Sequence, residues 1–317
     1  MDSPRKLVVR RKLALAADIF GFELAAPDGA PLPDYPPGAH IVVATPSGQK
    51  RRYSLCDAPG VRSHYFIAVK REANGRGGSL SFTTQVAEGD LVDIEGPGND
   101  FPMAPGTPKR TRFVAGGIGI TPIRSMILDL EKRGRTDWTL HYLARTPEST
   151  AFRDEFLDTR YAGRVTIHHD GGDPAKAFDL WPILEVQDGA HLYCCGPRGL
   201  MDSVRDMTGH WSDGAVRFED FGAVQADATA DAAFEVRLAR LGKRVTGPPG
   251  VSILDALRKA GISLPSSCES GSCGTCRMPL LEGEADHRDF VLLDDERDSA
   301  IMICVSRAKS PSLTLDI

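Results

Sequence analysis

The sequence predicts a multidomain chain of three successive folds: an N-terminal antiparallel β-barrel, an α/β domain on a parallel sheet, and a small C-terminal α+β domain. Three observations carry this. Short apolar runs broken by Gly, Pro, Asp and Ser fill the first hundred residues. From residue 107 to 221 strand-like and helix-like runs alternate, which builds a parallel sheet covered on both faces. A small, polar, aperiodic stretch at 222–233 then reads as a linker to residues 234–317.

The bulk properties fit such a chain. Its 317 residues exceed the usual size of one domain. The apolar fraction of 41% and charged fraction of 26% are ordinary for globular cores. A net charge of −5 and a pI near 5.9 argue against nucleic acid as a partner. The N-terminus has no signal-peptide core, and no apolar run approaches the roughly 18–20 residues that span a bilayer. A cytoplasmic monomer without membrane contact is expected. Thiols stay reduced in that compartment, so clustered cysteines point to metal or redox chemistry.

In the barrel, residues 39–46, 51–55, 64–71 and 90–97 read as strands. The turn clusters PDYPPG and PMAPGTP flank them, and the second marks a domain boundary near Gly106. In the α/β domain, TRFVAGG reads as a buried strand. TPIRSMILDLEKRG reads as a helix capped by Thr121, with Pro122 in its first position and Gly134 as its stop. WTLHYLAR, RVTIHHD and AHLYCCG read as further strands. TAFRDEFLDTR and GLMDSVRDMTGH read as helices between them. The C-terminal domain opens with the strand FEVRLARLG, followed by a helix with Ser252 as N-cap and Gly261 at its end.

The strongest chemical signal is SSCESGSCGTC. Cys268, Cys273 and Cys276 follow C-x4-C-x2-C, and Cys304 sits in the apolar run IMICVSRA, read as a buried strand. Four thiolates at this spacing are the plant-type pattern for a [2Fe–2S] cluster. Gly271 and Gly274 permit the unusual backbone angles needed to wrap a charged inorganic core. A zinc site would show paired C-x2-C units, and here there is one. Cys56 and Cys194 read as small core residues.

Four motifs in fixed order then resemble the phthalate dioxygenase reductase and vanillate demethylase reductase family, over nearly the whole chain. RRYSL resembles the R-x-Y-S flavin motif of the ferredoxin–NADP reductase superfamily, with Arg51, Tyr53 and Ser54 matching; alone it also suits an exposed strand. GRGGSLS would present Gly77, Gly78 and Ser79 to a phosphate at a helix start, with charge from Arg76; a plain Gly-rich turn is the bland alternative. AGGIGITP, with Gly116, Gly117 and Gly119, lies between strand and helix where a dinucleotide pyrophosphate binds. YCCGP places Cys195, Gly196 and Pro197 beside the nicotinamide. The resemblance implies FMN contacts from the main chain of Ala68, Val69 and Lys70 and from Thr121. It makes the C-terminal domain a ferredoxin-like β-grasp and Phe221 the aromatic that shields the flavin, with Phe218 as a nearby competitor.

The implied function is a reductase component of an aromatic-ring oxygenase or demethylase, passing electrons from NADH through FMN and the [2Fe–2S] cluster to a Rieske-type oxygenase. A stand-alone reductase with a small-molecule acceptor is the alternative. Hydride transfer itself needs no general base. Asp170, in IHHDGGD after a strand, would bond a ribose hydroxyl and repel a 2′-phosphate, favouring NADH; an ordinary turn aspartate reads the same way. Residues 282–298 carry eight acidic side chains against two basic ones. They read either as a steering patch for the oxygenase or as a solvated loop.

Overall fold

In the computed structural model, residues 5–73, 75, 77–106, 108–221, 232–269 and 271–317 are described. Two compact units result, one running to Phe218 and the other from Glu219 onward. Residues 222–231 of the expected linker lie outside the described residues.

The first unit begins with a six-stranded antiparallel sheet: β1 Arg5–Ala16, β2 Ile19–Ala25, β3 His40–Ala44, β4 Lys50–Ser54, β5 Tyr65–Lys70 and β6 Leu91–Gly98, in the order β4-β3-β6-β1-β2-β5. An antiparallel bridge from Leu55 to Ile67 joins the two edge strands and closes the barrel. Leu7, Phe22, Ile41, Val43 and Ile67 pack in one buried core, while Glu23, Val42 and Phe66 between them on the strands are only partly buried, as the two-residue strand period requires. The helix α1, Gly78–Gln85, inserts Phe82 into this core, 4.8 Å from the Phe22 ring. The sequence reading found β3 to β6 but not β1 and β2. Two register shifts break the alternation of β1, between Val9 and Arg11 and between Ala14 and Ala16.

The same unit continues through β7 Arg110–Gly116, α2 Ile120–Lys132, β8 Trp138–Ala144, α3 Arg153–Phe156, β9 Val165–His169, α4 Trp181–Leu184, β10 Ala190–Cys195, α5 Arg198–Met207 and β11 Val216–Glu219. The sheet order is β11-β10-β7-β8-β9, and the β10–β7, β7–β8 and β8–β9 pairings are parallel. Thr121 is not the cap of α2. A 3-10 turn at Gly117–Gly119 leads straight into the helix, so the cap is Gly119 and the Thr121 hydroxyl donates back to Ile118 O at 3.0 Å. TAFRDEFLDTR also yields less helix than expected. It forms the four-residue α3 and a 3-10 turn at Thr159–Tyr161, because Phe152 at φ 58° stops the helix on one side and Asp158 at ψ 140° on the other.

Barrel and sheet share a core. Ile19, Cys56, Ala68 and Phe101 pack in one cluster with Phe113, Ile120, Ile123, Met126 and Tyr193. Each fully buried large apolar side chain contributes about 1.5–3 kcal/mol. This seam therefore joins the two lobes into one unit.

The second unit is a mixed sheet with a helix packed on it, the β-grasp arrangement. Its strands are β12 Phe234–Leu238, β13 Lys243–Gly247, β14 Arg277–Glu282, β16 Ala300–Met302 and β18 Ser312–Leu315, ordered β13-β12-β18-β14-β16, beside a short pair of β15 Ala285–Asp286 and β17 Arg307–Ala308. Among the described residues β12 and β18 pair in parallel and the other pairings of this sheet are antiparallel. The helix α6, Ile253–Lys259, starts at Ser252, whose hydroxyl accepts from Asp255 N at 3.0 Å, and Gly261 follows at φ 77°. Cys304 is not inside a strand. β16 ends at Met302, and Val305 N and Ser306 N both turn back to Met302 O.

Candidate cofactor and cluster sites

The two flavin motifs meet in the first unit. Arg51 lies across the start of α1: a Cβ on Gly78 would fall 2.7 Å from the Arg51 Nε. Gly77 caps α1 at φ 87° and supplies no side chain to the first-turn N–H groups, which leaves them for an anion. The Ser79 hydroxyl accepts from Glu72 N at 3.1 Å. Arg76 lies outside the described residues. Tyr53 packs 5.9 Å from the Phe82 ring. Among the described residues the hydroxyls of Tyr53 and Ser54 are buried with no hydrogen-bond partner, and burial pushes the Tyr53 phenol well above its ordinary range. Such groups cost about 1–3 kcal/mol each when unsatisfied. These two hydroxyls, at successive positions of β4 and so on opposite faces of it, together with the Arg51 guanidinium at the open start of α1, fit a polar ring system with a phosphate tail.

The Ala68–Lys70 segment contributes backbone. Ala68 and Val69 are buried on opposite faces, and Lys70 is exposed and paired with Glu72 at 2.5 Å. Among the described residues the Leu55–Ile67 bridge is the only one between β4 and β5. Ala68–Lys70 pairs with β2 on one side; on the side toward β4, among the described residues, no strand pairs with it beyond the bridge, and β5 contacts the Gly117–Gly119 turn directly.

The nucleotide motifs also meet, at the C-terminal ends of β7 and β10. The chain proceeds from β7 to β8 and β9 on one side and returns to β10 on the other, so this is the topological switch point where α/β sheets bind ligands. The backbones touch. A Cβ on Gly119 would lie 2.1 Å from Cys195 O, one on Gly196 would lie 2.9 Å from Gly116 Cα, and one on Gly116 would lie 2.5 Å from Pro197 Cδ. Glycine is obligatory there for close approach rather than for backbone angle. Gly117 is different, with φ 54° and open space around its missing Cβ. Asp170 follows β9, and its carboxylate accepts from Gly172 N at 2.7 Å, closing its own turn. Phe218 is buried at 8% exposure, whereas Phe221 is 43% exposed.

In the second unit the cysteines form two pairs. Cys273 interacts with Cys268, and Cys276 with Cys304, with Cys268 also acting electrostatically on both members of the second pair. The Cys304 thiol, donating to Cys276, holds Cys276 below the ordinary thiol range, while Cys276 raises Cys304. Backbone amides point at sulfur: Ser272 N to Cys268 Sγ and Cys268 N to Cys273 Sγ, each 3.4 Å. Gly271 (φ 78°) and Gly274 (φ 82°) turn the loop, and a Cβ on Gly271 would strike Val305 Cγ2 at 2.7 Å. Among the described residues no three ligating side chains surround a single-ion site. A two-iron cluster does not require one, since its four thiolates are shared between two irons.

Comparison with known proteins agrees with this geometry. The 2Fe-2S iron-sulfur cluster binding domain family matches residues 236–309, and the oxidoreductase NAD-binding domain family matches residues 113–206. Phthalate dioxygenase reductase of Burkholderia cepacia is 51% identical, across 100% of this chain and 98% of its own length. The chain belongs to the phthalate dioxygenase reductase family. The phthalate 4,5-dioxygenase oxygenase reductase subunit of Pseudomonas putida is 49% identical over 98% of this chain and 96% of that protein. A solved phthalate dioxygenase reductase, described as a modular structure for electron transfer from pyridine nucleotides to [2Fe-2S], superposes with a TM-score of 0.76 over 100% of this chain and 98% of that one. This family member is therefore an oxidoreductase with an NAD-binding and a [2Fe–2S]-binding domain, of the kind that serves as reductase component to an oxygenase.

Sequence reasoning missed two supports of these sites. Arg258 of α6 donates to Ser266 Oγ at 2.6 Å and to Glu269, which holds φ 54° inside the cysteine loop. Arg124 of α2 links Asp57 to Glu155. Neither belongs to a motif; only the fold brings their partners together. Within the acidic run Asp289 is buried, Asp286 pairs with Arg288 and Glu296 with Arg277, while Glu282, Glu284, Asp294, Asp295 and Asp298 are exposed, Glu284 paired with Lys309 and Asp294 with Arg297.

Proposed function

We propose that the barrel, residues 1–106, binds FMN, that residues 107–221 bind NADH, and that residues 234–317 carry the [2Fe–2S] cluster which reduces a Rieske-type oxygenase. Bound there, FMN would supply the conversion needed between a two-electron nicotinamide and a one-electron cluster. The chain's own residues bind and orient. Arg51 and the Gly77–Ser79 start of α1 hold the phosphate. Tyr53 and Ser54 give their buried hydroxyls to the flavin, and the Ala68–Lys70 edge and Thr121 border it. Gly116, Gly117 and Gly119 admit the pyrophosphate, and Cys195, Gly196 and Pro197 line the nicotinamide. Phe221, with an exposed ring, is the shield that yields to nicotinamide. Asp170 disfavours a 2′-phosphate. Cys268, Cys273, Cys276 and Cys304 ligate the irons.

The hydroxyls of Tyr53 and Ser54, buried without a partner among the described residues, and Arg51 at the start of α1 support the flavin assignment. Seven free cysteines support a reducing, cytoplasmic setting. Among the described residues no helix is long and apolar enough to cross a membrane. The protein acts as a monomer that meets its oxygenase transiently. Denaturing the purified protein and identifying the released flavin tests the reading. Equimolar FMN is expected, and equimolar FAD overturns it.

A further inference from the structure

Arg124 stands where the two lobes of the first unit meet. Its side chain is 14% exposed. Nε lies 2.9 and 3.1 Å from the Glu155 carboxylate oxygens; Nη1 donates to Asp57 Oδ1 at 3.0 Å and to Cys56 O at 2.8 Å; the guanidinium lies 4.8 Å from the Phe152 ring centroid. Asp57 is held on its other oxygen by His64 Nε2 at 3.0 Å. The same helix grips the same loop twice more: Ser125 Oγ donates to Asp57 O and Lys132 Nζ to Pro59 O, each at 2.8 Å. The gripped loop follows directly on Tyr53 and Ser54. The gripping helix follows directly on the Gly117–Gly119 turn.

The shared apolar core already joins these lobes. Apolar residues of equal volume in place of a half-buried ion triad would hold them as well or better. What the triad adds is direction, because a planar guanidinium with two anionic partners and a carbonyl tolerates one geometry. We infer that Arg124 is a positioning residue: it fixes the separation between the flavin-motif strand and the pyrophosphate turn, and so the distance from flavin to bound nicotinamide. This rests on the FMN and NADH placements proposed above.

The test uses the full-length holoprotein with Arg124→Met and Arg124→Lys. FMN affinity is read by fluorescence, NADH affinity and the limiting rate of flavin bleaching by anaerobic stopped flow, the reduced-flavin–NAD charge-transfer absorbance as a signature of ring stacking, and exchange protection of residues 56–60 by mass spectrometry. Arg124→Met is expected to lower the limiting rate about 10- to 100-fold, to weaken the charge-transfer band and to expose residues 56–60, with FMN and NADH affinities within about threefold; Arg124→Lys recovers part of the rate. An unchanged limiting rate in folded, FMN-loaded Arg124→Met overturns the inference, as does a parallel collapse of rate and both affinities. If that variant does not fold, Glu155→Gln is judged by the same criteria. Wild-type protein that releases no FMN would sink the flavin placement itself; FMN present with the rate unmoved sinks only the role of Arg124.

Discussion

Replacing Gly119 by Ala tests the nucleotide site at its tightest point. Gly119 has φ −61°, which any residue adopts, so the substitution carries no backbone penalty. The effect is purely steric. The new Cβ would meet Cys195 O at 2.1 Å, Cys195 C at 2.4 Å and Gly196 N at 2.9 Å. All three are backbone atoms, and no rotamer change relieves them. The turn and the end of β10 must part by about 1 Å to restore ordinary contact. That displaces the pyrophosphate turn relative to the nicotinamide edge, and an error of this size costs about 10²-fold in a transfer step. The strain itself costs about 1–3 kcal/mol of stability. The assay is anaerobic stopped-flow bleaching of the flavin by NADH. Gly199→Ala in the first turn of α5 is the control, since its Cβ meets nothing within 4 Å. A Gly119→Ala protein that bleaches within threefold of wild type would refute the argument.

Other outcomes follow from the same geometry. Cys273→Ala should abolish the cluster's visible absorption and EPR signal while NADH still bleaches the flavin; a normal rhombic signal would remove Cys273 from the ligand set. Tyr53→Phe deletes a buried hydroxyl without a protein partner, so FMN affinity should fall about tenfold while the apoprotein gains up to about 1 kcal/mol; unaltered affinity would mean the hydroxyl does not meet the flavin. His141, on β8, has its pKa lowered from 6.5 to about 4 by burial, then by His168 and Arg112. The unfolded chain therefore takes up the proton first, and this part of the stability is intact above about pH 6.5 and declines toward pH 4. His141→Gln should flatten that decline in urea titrations at pH 7 and 5; equal losses in both proteins would contradict the assignment.

The fold class was legible because periodicities and turn residues survive local irregularity. The β1–β2 ribbon was not, because two register shifts disrupt the alternation of β1. The [2Fe–2S] character of the C-terminal domain was legible from cysteine spacing alone, and the matching family domain spans all four cysteines. Cys304 was expected inside a strand because its apolar neighbours are buried there, but burial does not distinguish a strand from the turn after it. Thr121-Pro122 resembled a helix start, and the glycines before it hid an earlier 3-10 turn. Arg124, Asp57 and Glu155 could not be read at all, since their sequence separations of 67 and 31 residues leave no local trace.

The central claim is the order of electron flow, and it is tested by mixing oxygen-free protein with NADH and following flavin absorbance alongside freeze-quench EPR of the cluster. The flavin should bleach first and the cluster signal should rise afterwards, with Cys273→Ala retaining the first phase and losing the second. A cluster signal that rises before, or without, flavin bleaching would contradict the account.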